Sequence, residues 1–141
     1  MKVKIKRVDK KFHFQGFGIS NIPVDIDGSE KIGGSNAGAR PMELLLMGLG
    51  TCGAMDIVSI LKKQKENLVD LNIEVTAERD EEKIPAVFKK INVIFHFIGE
   101  LNKNKVEKAV NLSMGKYCSV STMLEKTSQI DFSFTINGKE N

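Results

Sequence analysis

Between Pro41 and Leu61 the chain places only two charged residues, Glu43 and Asp56, and a helix built there is apolar on nearly every face. Such a helix must be covered on all sides, which predicts a buried central element around which the rest of the chain is arranged. Pro41 suits a first helical position, because the missing N–H costs no hydrogen bond, and Glu43 in the first turn complements the dipole. The helix is read as running to about Glu66, with Lys62, Lys63 and Lys65 as its cation-rich end. The longest uncharged run, Leu44 to Met55, falls short of the roughly 20 apolar residues a membrane span needs, so no membrane partner is expected. Gly48, Gly50 and Gly53 each cost about 1 kcal/mol relative to Ala within a helix. They predict close packing against another backbone, from a second long element or a second subunit.

The flanks read mainly as strands. Val3 to Arg7, Phe12 to Gln15 and Ile22 to Ile26 alternate in hydropathy or carry strand-forming residues, with a turn at Asp9-Lys10 and an edge suggested by Pro23. Asp27 to Arg40 is a glycine-rich loop. Leu71 to Ala77 and Val87 to Ile98 form two strands about a turn at Asp80 to Lys83. Val106 to Tyr117 follows helical spacing, a short helix begins at Cys118-Ser119, and Ile130 to Ile136 alternates strictly as a closing strand. The order βββ-α-ββ-α-α-β predicts an α+β fold with mostly antiparallel sheets around the buried helix. One domain over 1–141 is expected, divided into a β-region and loop (1–40), the central helix (41–66) and a ββααβ region (67–141).

With 141 residues the chain can bury a core without disulfide staples. A net charge of +3 with no basic block gives no reason to expect nucleic acid. The N-terminus alternates charge and has no apolar signal core. Two cysteines are too few for a disulfide framework, and together these features predict a cytoplasmic protein.

Gly48-Leu49-Gly50-Thr51-Cys52-Gly53 is a literal dinucleotide fingerprint. Its candidate strand is four residues long, it follows a helix start, and the chain offers no further βαβ units, so small residues for helix packing are the better reading. A nucleotide-binding protein is the weakest rival, and no cofactor is expected. His13 and His96 lie in strand patterns far from the cysteines, without metal-ligand spacing, so no metal site is expected. Each predicts a side chain with a satisfied hydrogen bond. The two thiols are either inert core atoms or a reactive pair. Cys52 sits in mid-helix between small residues, and Cys118 stands near a helix N-terminus, where amide groups stabilise a thiolate. A two-cysteine peroxidase needs such a division: one sulfur attacks the peroxide and the other closes a disulfide.

Pro41-Met42-Glu43-Leu44-Leu45-Leu46-Met47-Gly48-Leu49-Gly50-Thr51-Cys52, followed by Asp56 to Leu61, resembles the central helix of the OsmC/Ohr family. Lys116-Tyr117-Cys118-Ser119-Val120, with Met123 to Lys126 after it, resembles that family's second cysteine motif. The resemblance covers nearly the whole chain and is closest to the YhfA-like OsmC branch. It implies an intertwined homodimer with the central helices packed together, and reduction of organic hydroperoxides in stress defence. It implies Cys52 as the attacking thiol and Cys118 as the resolving one, reset by a dithiol reductant such as a lipoylated or thioredoxin-like protein. The alternative is an OsmC-fold protein that binds a small ligand with little or no turnover.

Peroxidase members of the family carry a Pro-Glu pair whose Glu orients an Arg over the nucleophile. Here Met42 takes that position and Glu43 comes one residue later. Glu43 lies nine residues before Cys52, which at about 100° per residue sets it about half a turn away. Arg40 adjoins the helix start and is the candidate cation, although Lys10 or Lys11 falls nearer the family position. Asp56, one turn after Cys52 on the same face, is a further candidate; a carboxylate there would raise a thiol pKa. Leu49, Met55, Tyr117 and Met123 would favour apolar alkyl substrates, or are plain core.

Overall fold

A computed structural model describes residues 1–140. The chain forms two compact units, Met1–Leu45 and a second that begins at Leu46. In the first, strands β1 (Lys4–Arg7), β2 (Phe14–Phe17) and β3 (Pro23–Ile26) pair antiparallel in that order. β2 starts two residues later than the alternation suggests. The Asp9 carboxylate accepts the amides of Lys11 (2.7 Å) and His13 (3.2 Å), and the Arg7 guanidinium donates to the carbonyls of Lys10 and Lys11. These bonds hold Phe12 in the connection and out of the ladder. His13 Nε2 donates to the Asp25 carboxylate at 2.8 Å across the sheet, the satisfied partner predicted for it.

The glycine-rich loop is organised by Asp27, a residue the sequence reading did not single out. Its side chain is buried, and its two oxygens accept the amides of Gly28 (2.7 Å), Ser35 (3.0 Å) and Ala37 (3.0 Å). Those donors, Ala37 foremost, hold its carboxyl below the usual range. The loop closes so tightly that a side chain at Gly34 would start 2.1 Å from the Gly28 carbonyl oxygen.

Helix α1 (Pro41–Lys63) ends three residues before the predicted Glu66. By length and apolarity it could cross a membrane, with a mean hydropathy of 1.9, which the uncharged run alone did not suggest. It is not buried all round. Leu49, Gly50, Gly53, Ile57 and Leu61 are buried, whereas Leu45, Met47, Met55 and Val58 are exposed.

The second unit is built on a sheet of β4 (Asn67–Arg79), β5 (Phe88–Glu100), β6 (Gln129–Ile136) and β7 (Lys139–Glu140), in that order. β4 with β5 and β6 with β7 are antiparallel, but β5 and β6 run parallel. A parallel neighbour needs a crossover. Here it consists of α2 (Lys103–Leu112), a π-turn (Ser113–Tyr117) and α3 (Ser119–Leu124). The pleat sorts the sheet into two faces. Ile91, Val93, Phe95 and Phe97 are fully buried on one, and each contributes on the order of 1.5–3 kcal/mol. Asn72, Glu74 and Thr76 face the other, in register with His96, Ile94 and Asn92. Ile94 and Ile98, which broke the alternation in the sequence, lie on this second face. His96 Nδ1 meets Thr135 Oγ1 at 3.0 Å, again a satisfied histidine.

The Glu66 carboxylate joins the end of α1 to the start of α2. It accepts the Asn102 amide and pairs with Lys105 Nζ, both at 2.7 Å. Asn102 caps α2 through the Lys105 amide.

Candidate functional site

The inner face of α1 can approach the second unit's core because two of its positions lack a side chain. A Cβ at Gly50 would lie 3.1 Å from Val75 Cγ2, and one at Gly53 would lie 2.9 Å from Met114 Sδ and 3.2 Å from Phe95 Cζ. The contacts are with side chains, not with the backbone of a neighbouring element, because the facing layer is a sheet whose large residues fill the gaps. Gly48 has nothing near it. The fingerprint glycines thus lie wholly within one helix, and no strand-turn-helix forms about them.

Gly53 also receives an anchor. Its carbonyl accepts the hydroxyl of Ser113 at 2.9 Å, deep in the core. Ser113 opens the π-turn, and its own carbonyl accepts the Cys118 amide at 2.8 Å. The π-turn widens the end of α2, a feature frequent at functional sites. It delivers Cys118 to the N-cap of α3, beneath α1.

There the two cysteines meet. Both are free thiols; Cys52 is half-buried and Cys118 is buried, with 1% of its surface exposed. Cys118 Sγ accepts the Ser121 amide at 3.4 Å and lies 4.0 Å from the Leu49 carbonyl. Cys52 is close enough to act on its ionisation, so residues 66 positions apart in sequence stand near one another. Burial pushes the Cys118 thiol up to about 11, and the neighbouring Cys52 thiol pushes the same way. The amides of Ser121 and Val120 oppose the rise and are outweighed. The thiolate stabilisation expected of the α3 N-terminus is therefore overturned for Cys118. A helix of six residues offers a weak field, and desolvation of a charged sulfur costs more.

The remaining candidates divide. Glu43 Oε2 accepts the Arg40 amide at 2.8 Å, the return arm of a capping box at the start of α1. The Arg40 guanidinium donates to the Gly38 carbonyl at 3.0 Å and to Asn36 Oδ1, so its hydrogen bonds stay within its own loop. Asp56 is half-buried on α1, one turn beyond Cys52, and makes no ion pair or hydrogen bond among the described residues. Leu49 is plain core, whereas Met55, Tyr117 and Met123 are exposed. Thr51, Ala54, Met55, Val58, Leu71 and Ile73 line an apolar groove of about 350 Å³ on the open side of α1. Ser113 was visible in the sequence only as one polar member of an apolar stripe; its role needs the π-turn, which the stripe does not reveal.

The family model described as OsmC-like protein matches residues 33–133, which include both cysteines. The chain belongs to the OsmC family. It is 39% identical over 137 residues to protein YhfA of Escherichia coli, covering 96% of this chain and 98% of that one. Among solved structures it is similar to a hypothetical protein from Aquifex aeolicus. That match has a TM-score of 0.83 and 27% identity, and covers 96% of this chain and 95% of the other. An organic hydroperoxide resistance protein from Elizabethkingia anophelis shares the fold at a TM-score of 0.72, with 10% identity and 97% coverage of both chains. The OsmC fold of this chain thus places its two thiols on the central helix and on the crossover that returns to the sheet.

Proposed function

We propose that this OsmC-family protein is a thiol peroxidase that reduces organic hydroperoxides through Cys52 and Cys118. The observation that carries the reading is the contact between a half-exposed thiol and a buried thiol that keeps its proton. The name of the Elizabethkingia protein supports the substrate class. In this scheme the Cys52 thiolate attacks the outer oxygen of ROOH, the O–O bond breaks, and the departing RO⁻ takes up the proton that Cys52 had released and leaves as ROH. The resulting Cys52 sulfenic acid is attacked by Cys118, giving the disulfide and water. A dithiol donor, lipoylated or thioredoxin-like, returns two electrons and two protons and is itself oxidised to a disulfide. Cys118 starts protonated, which suits the resolving role: it is kept from competing for the peroxide. A reducing compartment such as the cytoplasm would keep the pair in its thiol state.

The same reading includes a homodimer. The bare apolar side of α1 and its groove supply a surface that water would otherwise cover at a cost.

One observation favours a binding protein without turnover. The Arg40 guanidinium is occupied by Gly38 and Asn36. Steady-state reduction of cumene hydroperoxide with dithiothreitol as electron donor decides between the two. The peroxidase reading expects turnover that Cys52→Ser abolishes, with Cys118→Ser accumulating a dimedone-reactive sulfenic acid. Absence of turnover together with a Cys52 inert to peroxide would establish the binding protein instead.

A further inference from the structure

The segment that carries Cys118 is fastened to α1 next to Cys52. Ser113 is fully buried, and a buried hydroxyl costs free energy unless it is hydrogen-bonded. Its Oγ donates at 2.9 Å to the carbonyl of Gly53, the residue that follows Cys52. A carbonyl oxygen has two lone pairs, so this bond does not compete with the helical one. The Ser113 carbonyl in turn accepts the Cys118 amide at 2.8 Å, five residues on, which is the bond that makes the π-turn. One residue therefore grips both cysteine-bearing segments, one through its side chain and the other through its backbone. Met114 packs at the same point, its Sδ only 2.9 Å from where a Gly53 Cβ would stand. The links that Lys105 makes to Gln64 and Glu66 fall past the end of α1 and hold neither cysteine.

We infer that Ser113 is a positioning residue for the thiol pair, fixing Cys118 against the Cys52 segment of α1 while both sulfurs are still reduced. The inference rests on the pairing of the two thiols in the peroxidase reading and deepens it. A bond between groups already held together needs little further ordering, whereas groups that wander must first be brought into place. Without the hydroxyl bond the π-turn is released from Gly53, and only a fraction of the reduced chains presents one sulfur to the other. The equilibrium constant for closing the disulfide falls by that fraction.

The test uses glutathione buffers and no peroxide, so the peroxidase reading can fail while this one stands. Cys52 exchanges with glutathione disulfide and releases one glutathione; Cys118 then displaces the second, so two thiols are oxidised and one glutathione disulfide is reduced. Acid quenching, alkylation and peptide mass give the fraction of chains with a Cys52–Cys118 disulfide. Ser113→Ala is expected to lower the equilibrium constant about fivefold, the factor that one buried hydrogen bond carries. Ser128→Ala controls for a general loss of stability, because Ser128 is also buried and donates to a carbonyl, that of Phe88, at 2.8 Å. It is expected to lower the thermal midpoint and leave the disulfide constant unchanged. A native constant in folded Ser113→Ala, or an equal fall in Ser128→Ala, overturns the inference. The native chain supplies a check even if a variant misfolds. Its Cys118 amide should exchange slowly with deuterium in the dithiol form as well as in the disulfide form. Rapid exchange in the dithiol form, or no Cys52–Cys118 disulfide at any glutathione ratio, overturns the inference as well.

Discussion

The two sides of α1 obey opposite rules. Its inner side, at Leu49, Gly50, Gly53, Ile57 and Leu61, is packed so closely that a single added methyl meets sulfur or aromatic carbon. Its outer side, at Met47, Met55 and Val58, is just as apolar and is left two-fifths or more exposed. The same contrast divides the thiols: Cys118 lies under the inner side and Cys52 is half-open. Apolarity therefore does not tell which side is core. The difference lies in what the remaining elements bring to each.

The contrast is broken most severely through chemistry. The rise of the Cys118 thiol from 9.0 to about 11 leaves roughly 100-fold less thiolate below pH 9. Iodoacetamide at pH 8, read by peptide mass, should therefore modify Cys52 well before Cys118. Comparable rates would show that the inner side is not sealed. Because the folded pKa lies above the unfolded one, this group contributes stability that is complete below about pH 9 and declines as the pH climbs through 11. Urea midpoints across that range should fall in the native protein more steeply than in Cys118→Ala.

Packing gives the next effect. Gly53→Val must displace Met114 and Phe95, and an overpacked site costs typically 1–3 kcal/mol. A lowered thermal midpoint checks this, and an unchanged one would contradict the contact. Gly48→Ala gives the smallest effect and the sharpest sign. With open space about it, Ala should stabilise by up to about 1 kcal/mol through helix propensity. Destabilisation that grows with protein concentration would instead reveal a second copy packed on that side.

How much of this could be read in the residues varies with the physics involved. The order of elements, the start of α1 at Pro41 and the alternation of β4, β5 and β6 were legible, because period and capping are local properties. The parallel pairing of β5 with β6 was not, since a two-residue period is the same whichever way the neighbour runs. The π-turn was hidden because Ser113, Met114 and Tyr117 continue an apolar stripe whether or not the helix widens. Spacing left the meeting of Cys52 with Cys118 open, and family resemblance supplied the pairing. The direction of the Cys118 shift was misjudged because a helix N-terminus is visible in sequence and depth of burial is not. Asp27 escaped notice as one more polar residue before a glycine.

That carboxylate has a consequence for how the protein responds to acid. Three backbone amides converge on one negative charge, and a proton arriving there weakens all three bonds together. Its pKa sits below the ordinary range, so neutralisation waits for strongly acidic solution and then frees the amides of Gly28, Ser35 and Ala37 together. Hydrogen exchange at Ser35 and Ala37 should quicken there while the long strands stay protected, so that the lead into the central helix comes undone first, as a latch rather than as a wall.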